Sequence, residues 1–257
     1  MRLVAIAISL ILTACSTLSP SDKKQLVLTH SIAATAQVFT VREGGTRRAG
    51  SAIVLSQDAS QSTTFILTTA HLLEPPVEQS VYILDPATQN RVPADLIAID
   101  SDADLALLAA PIAAGEPVRL ALGGGLADEV LVVAFPWGRA RTVVNGAVSQ
   151  VAAEESTGQV PLWGDVKLID ASVSYGMSGG GIFDKQSGRL LGIVRGYRTA
   201  HLALTSEAAP LKLPIAGETT VISTHDIFCF LDAKGFGGMA NAALSGEIPA
   251  ERCRDVS

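Results

Sequence analysis

From residue 36 onward the chain is a succession of short apolar runs: AQVFTV, SAIVLS, TFILTT, SVYIL, DLIAI, DLALLA, EVLVVAF, RTVVNGAV, DVKLIDASV, RLLGIVRGY and TTVIS. Each spans five to nine residues, and clusters of Gly, Pro, Asn, Asp or Ser separate most of them. Runs of that length suit strands and are too short for most helices, so the spacing predicts an all-β barrel or sandwich rather than alternating β and α units. The Pro- and Gly-bearing stretch APIAAGEPVRL, at 110–120, divides the runs into two groups of similar size. One helical signal follows the last run, THDIFCFLDAKG. Thr224 can cap it, Asp226 lies in its first turn, Ile227, Phe228, Phe230 and Leu231 form its apolar face, and Lys234 and Gly235 end it. The chain has 257 residues, enough for one large β domain or two small ones, and no internal repeat or long low-complexity segment is visible.

Composition excludes some partners. Only 17% of residues are charged and the net charge is −6, so there is no basic footprint for nucleic acid or anionic membrane surfaces. The amino terminus has one positive charge, Arg2, then a nearly unbroken apolar run from Leu3 to Leu12. That stretch is too short to span a bilayer and has the length of a secretory h-region. Leu12-Thr13-Ala14-Cys15 resembles the lipobox of bacterial lipoproteins, with a polar tether, STLSPSDKKQ, behind it. The resemblance implies a signal peptide over 1–14, acylation of Cys15 and a tether over 15–32; the alternative is an ordinary signal peptide with an incidental cysteine. With Cys15 acylated, Cys229 and Cys253 remain, and an even pair in an exported protein is a candidate disulfide. The other possibility is one buried inert thiol and one free thiol in a polar tail over 235–257.

SYGMSGGG, residues 174–181, places one serine among four glycines between two half-apolar runs. Glycine weakens such a segment unless the backbone must turn sharply or approach something closely. A hairpin loop would account for it; so would a nucleophile with backbone N–H groups aimed beside it. Serine chemistry needs a base near neutral pKa and an acid that fixes the base's tautomer. Of the four histidines, His30 lies in the tether, His201 in a loop and His225 near the helix start. His71 follows the run FILTTA directly, where a strand turns. Among the aspartates of DSDADLALL, Asp100 and Asp102 fit a solvated turn, whereas Asp104 opens an apolar strand that carries its carboxylate to the edge of a buried face. A carboxylate there needs a partner, and an imidazole N–H supplies one.

TTAH, ADLALL and GMSGG, in that order, resemble the trypsin-fold serine peptidases, closest to the HtrA/Deg branch of bacterial envelope proteases. The likeness covers roughly residues 33–234 and includes FPWG at 135–138 and LIDASVSYGMSGGGIFD followed by GRLLGIVRGY. It implies an all-β fold of two antiparallel β-barrels, about 33–112 and 121–223, with a terminal helix over 224–234 and the site between the barrels. In this resemblance Ser178 is the nucleophile, His71 the general base and acid, Asp104 the orienting carboxylate, and the N–H groups of Gly176 and Ser178 the oxyanion hole. No cofactor and no metal is implied, and the partners are protein or peptide substrates together with a membrane reached through the lipid anchor. Nucleic acid is not expected, and the oligomeric state is not legible.

Two positions, Met177 and Gly181, depart from the family pattern. Met177 stands where the branch has asparagine and trypsin has aspartate; its side chain is expected to point away from the hole and cannot pair with an ammonium group. No cleavage-driven activation is therefore expected. Gly181 replaces a usual proline, which is expected to loosen the loop. No PDZ domain is expected after the terminal helix. Ser172, six residues before the nucleophile, falls at the base of the primary specificity pocket, and its lack of a carboxylate argues against a strong preference for Lys or Arg. GIVRGY supplies the pocket wall, with Arg195 facing either the pocket or, as is commoner, solvent. The function so implied is a lipid-anchored serine endopeptidase of the bacterial cell envelope, facing the periplasm. A catalytically silent peptide-binding module and an esterase or other acyl transferase remain alternatives.

Overall fold

The structure is a computed structural model that describes residues 19–58, 60, 62–74, 79–85, 88–112, 115–153, 158–202, 211–244 and 253. The signal segment and Cys15 lie outside the described residues. Strands β1 (Thr35–Arg42), β2 (Arg47–Asp58), β3 (Thr63–Thr68), β4 (Gln79–Leu84), β5 (Arg91–Asp100) and β6 (Leu105–Ala110) close into one barrel in the order β1-β2-β3-β6-β5-β4. After a two-residue strand β7 (Gly124–Gly125), the second barrel is formed by β8 (Glu129–Ala134), β9 (Thr142–Val151), β11 (Val166–Asp170), β12 (Gly181–Asp184), β13 (Leu190–Leu202) and β14 (Leu211–Ser223). The two-residue β10 (Trp163–Gly164) pairs only with β7, and the second barrel closes in the order β11-β14-β13-β12-β8-β9. Every barrel pairing is antiparallel, and closure leaves neither barrel a free edge. The expected two-barrel, all-β architecture is the observed one.

The apolar runs look continuous because both faces of the central strands are buried. In β8, Val130, Val132 and Ala134 fill the second barrel, while Leu131 and Val133 point outward to a shared cluster with Leu105, Leu107 and Phe183. In β6, Ala106, Leu108 and Ala110 fill the first barrel, while Leu105 and Leu107 join that same shared cluster. A strand's period of two thus supplies a barrel core and an interface from one segment. This packing locks the barrels together at the junction that carries the site.

Helix α2 (Thr224–Ala233) occupies the expected place, but its cap is Ser223 rather than Thr224. The Ser223 hydroxyl accepts the Asp226 N–H and the Asp226 carboxylate takes the Ser223 N–H, a reciprocal box that satisfies two groups which a Thr224 cap would leave open. The polar segment read as a tether is largely helix α1 (Pro20–Ala33). Ser19 accepts the Asp22 N–H, Pro20 occupies the first helical position, and Val27 and Ser31 are buried against the barrels. His30, within it, pairs with Glu116. The tail contains a further helix, α3 (Gly237–Ala243), whose Ala240 and Ala243 join the shared core. A disulfide joins Cys229 to Cys253. His225 lies beside that bridge, with its ligand atom and both sulfurs within 4.8 Å of one another, but bonded sulfurs are not the thiolates a metal requires.

Candidate active site

His71 sits in a short 3₁₀ turn, Ala70–Leu72, at the end of β3. Asp104 ends the turn before β6 in a left-handed conformation with φ 57°, a region that Asp tolerates better than most residues. The turn is built by its neighbour: the Asp100 carboxylate accepts the N–H groups of Asp102 and Ala103, while Asp102 stays exposed. Asp104 is only 6% exposed, and its Oδ1 and Oδ2 each lie 3.0 Å from His71 Nδ1. Its Oδ1 also accepts the His71 backbone N–H at 3.0 Å, and its carbonyl accepts the Ala70 N–H. Burial pushes the Asp104 carboxyl up, but the His71 side-chain and backbone hydrogen bonds, with the charges of His71 and Arg195, hold it below the usual carboxylate value. With Nδ1–H facing the carboxylate, Nε2 is left as the basic nitrogen.

The serine loop answers the question its glycines raise. The Met177 N–H donates to the Ser174 carbonyl, closing a turn whose third residue, Gly176, has φ +86°. A side chain at Gly176 would stand 2.7 Å from the Trp137 nitrogen, and one at Gly179, φ +81°, would stand 2.0 Å from the Ser51 carbonyl oxygen. Met177 is 2% exposed and packs into the second barrel's core, so its side chain does turn away from the cleft. Gly181 lies at the loop's end, already within the second barrel. It opens β12, paired with Val133 and Ile193, and a Cβ there would strike the Phe183 ring and Ile53.

The first barrel stitches this loop in place through Ser51, which is fully buried. The Ser51 N–H donates to the Ser178 carbonyl at 2.9 Å and its hydroxyl to the Gly176 carbonyl at 3.0 Å. The same hydroxyl accepts the Phe135 N–H. Those bonds fix both carbonyls. Met177, Gly179 and Gly180 spend their N–H groups on Ser174, Val194 and Met177, whereas among the described residues no protein carbonyl takes those of Gly176 and Ser178. Nothing in the sequence distinguishes Ser51 from any other strand serine.

His71, Gly176 and Ser178 line one cleft of about 410 Å³ between the barrels, with Arg48, Tyr175, Arg195 and Tyr197 around them. The Ser178 hydroxyl donates to the Arg195 carbonyl at 3.2 Å. Ser172 is exposed and does not line this cleft; Val173, Ser174 and Tyr175 do. Arg195 lines the cleft while staying half-exposed, its Nε 3.4 Å from Asp104 Oδ2. The cause is a bulge: β13 pairs Val194 with Val221 and Gly196 with Thr220, so Arg195 is the extra residue and escapes the strand's alternation.

Two closed barrels with a histidine–carboxylate pair and a glycine-held serine at their junction define the trypsin-fold class of serine peptidases. The chain belongs to the family of trypsin-like peptidase domains, whose family model matches residues 50–193. No curated relative matches in sequence. Solved structures share the fold. The inactive Ser-to-Ala form of Rv3671c from M. tuberculosis matches with TM-score 0.58 at 20% identity, over 86% of this chain and 95% of its own. The active form of the Rv3671c protease matches with TM-score 0.60 at 18% identity, over 91% and 95%. The serine endoprotease from Yersinia pestis matches with TM-score 0.60 at 20% identity, over 85% of this chain and 66% of its own.

Proposed function

We propose that the chain is a lipid-anchored serine endopeptidase of the bacterial cell envelope, cleaving exposed or unfolded protein segments with Ser178, His71 and Asp104. The observation that carries this reading is the buried Asp104 carboxylate, both of whose oxygens lie 3.0 Å from Nδ1 of His71, while His71 lines the same cleft as Ser178. A buried carboxylate in that geometry holds the imidazole in the tautomer that leaves Nε2 free to take a proton.

The hydroxyl of Ser178 donates to the Arg195 carbonyl, so catalysis begins when that bond is exchanged for one to Nε2. His71 takes the proton as Oγ adds to the substrate carbonyl, then delivers it to the leaving amine; water repeats the sequence to release the acyl group. The N–H groups of Gly176 and Ser178 receive the developing oxyanion, each donor contributing about 3 kcal/mol in the transition state. Asp104 remains ionised throughout.

The anchor rests on the sequence. The apolar segment over 3–12 ends at Leu12-Thr13-Ala14-Cys15, where acylation supplies about 0.8 kcal/mol per buried methylene. Ser16, directly after the anchor, resembles the outer-membrane signal of enteric lipoproteins rather than the aspartate of inner-membrane retention. Degradation of fluorescent casein by the wild-type chain and its Ser178→Ala variant tests the activity: cleavage is expected only in the former, and equal cleavage by both removes Ser178 from the mechanism. Membrane fractionation of Cys15→Ser tests the anchor separately, with release expected and continued pelleting contradicting it.

A further inference from the structure

The cleft is cationic on a chain that is not. The protein carries a net charge of −6, yet the residues lining this cleft include Arg48 and Arg195 and no aspartate or glutamate. Asp104 lies against it but is 6% exposed, and its oxygens are already shared between His71 and Arg195.

Each arginine is held where it stands without being neutralised in full. The Arg48 Nη1 donates to the carbonyls of His71 and Glu74 at 3.2 and 2.9 Å, and among the described residues no carboxylate lies within ion-pairing distance of it. Carbonyl dipoles orient that guanidinium while leaving its charge in place. Arg195 gives Nε to Asp104 and keeps a side chain 51% exposed, and among the described residues no acceptor takes its Nη groups. A guanidinium is a planar fork of five donors, so one edge can stay on Asp104 while the Nη donors meet a second carboxylate. The bulge at Arg195 turns its side chain into the cleft that Ser178 also lines, and the Ser178 hydroxyl rests on the Arg195 carbonyl.

We propose that the cleft selects peptide segments bearing a carboxylate side chain close to the bond presented to Ser178, with Arg195 as the principal acid-reading residue and Arg48 acting from the facing barrel. The inference rests on the reading of this cleft as a peptide site, and names its substrate class. Lysine and arginine side chains are disfavoured there by the same two cations. Because both guanidinia are partly solvated, the discrimination is moderate and weakens with ionic strength.

The test compares two fluorescein-labelled decapeptide pools of Ala, Val and Leu that differ only in carrying Glu or Gln at every third position. Binding by the full chain in detergent, as the Ser178→Ala variant, is followed by fluorescence anisotropy. The Glu pool is expected to bind about three- to tenfold more tightly, the range set by a charge-assisted hydrogen bond discounted for solvent. That margin should shrink in high salt, disappear largely in the double variant with Arg195→Gln, and shrink less with Arg48→Gln. Equal or tighter binding of the Gln pool, or no binding of the Glu pool, overturns the proposal without reference to any variant's folding. Fluorophosphonate labelling of the wild-type chain reports on the peptidase reading alone. Cleavage indifferent to Glu and Gln would leave that reading standing and overturn this one, whereas a silent Ser178 with the Glu margin intact would do the reverse.

Discussion

At the scale of single residues, the site depends on groups that do no chemistry themselves. Asp104→Asn keeps the shape of the carboxylate but replaces one of the two oxygens facing His71 Nδ1 with an NH2 donor, which favours the wrong imidazole tautomer, and a turnover loss of roughly 10⁴ is expected in steady-state peptide hydrolysis. The same variant reads out linkage. The Asp104 carboxyl is held below its usual value in the fold, so its contribution is present above the ordinary carboxylate range and is lost as pH falls through its lowered folded value. The stability gap between wild type and Asp104→Asn, measured by denaturant unfolding, should therefore narrow on acidification; a gap that widens contradicts the assignment. Ser51→Ala would leave the Gly176 carbonyl and the Phe135 N–H without their buried partner, at a cost of about 1–3 kcal/mol. It should also lower turnover, because the loop carrying Ser178 loses its tie to the first barrel; unchanged turnover with lowered stability would make Ser51 purely structural. His71, Asp104 and Ser178 could be singled out in the sequence because each stands where a strand begins or ends beside turn-forming residues. Ser51 and Arg195 could not. One is a strand serine whose role comes from the facing barrel, and the other is aimed by a bulge that only the pairing with β14 reveals.

At the scale of elements, the strands were legible and the termini were not. Apolar runs buried on both faces mark strands whatever their partners, but α1 has few apolar residues, and what buries Val27 and Ser31 is the surface of the barrels. Ser19, Pro20 and Asp22 form its start within a segment that is polar up to Gln25. The segment over 235–257 is likewise polar in sequence towards its end, whereas α3 adds Ala240 and Ala243 to the shared core and the disulfide fastens Cys253 to α2. Breaking that bridge with Cys253→Ser should cost about 3 kcal/mol in the chain-entropy account, visible as a lowered midpoint in thermal unfolding. Two thiols beyond Cys15 that react in the denatured, unreduced protein would contradict the bridge. Met177 bears on activation at this scale: it fills the second barrel's core where an aspartate would await a cut N-terminus. Uncleaved protein, verified by intact mass, is expected to be fully active, and proteolytic removal of α1 should lower stability rather than switch activity on.

At the scale of the molecule, the two barrels are joined by one apolar cluster, and the candidate site lies along that joint. His71, Asp104 and Arg48 come from the first barrel; Ser178, Gly176 and Arg195 come from the second. Neither barrel holds a complete set, so chemistry requires the packing of Leu105, Leu107, Leu131, Val133 and Phe183 that keeps them in register. The linker, the two groups of strands and the terminal helix were all visible in the pattern of apolar runs. What no pattern could supply was the registry between barrels, since that is set by contacts between residues far apart in sequence. The most direct measurement is active-site labelling of the full chain with a fluorophosphonate, followed by peptide mapping. The account predicts one phosphonylated residue, Ser178, formed in wild type and absent in His71→Ala. An unlabelled Ser178 in a folded wild-type protein, or labelling that persists without His71, would contradict it.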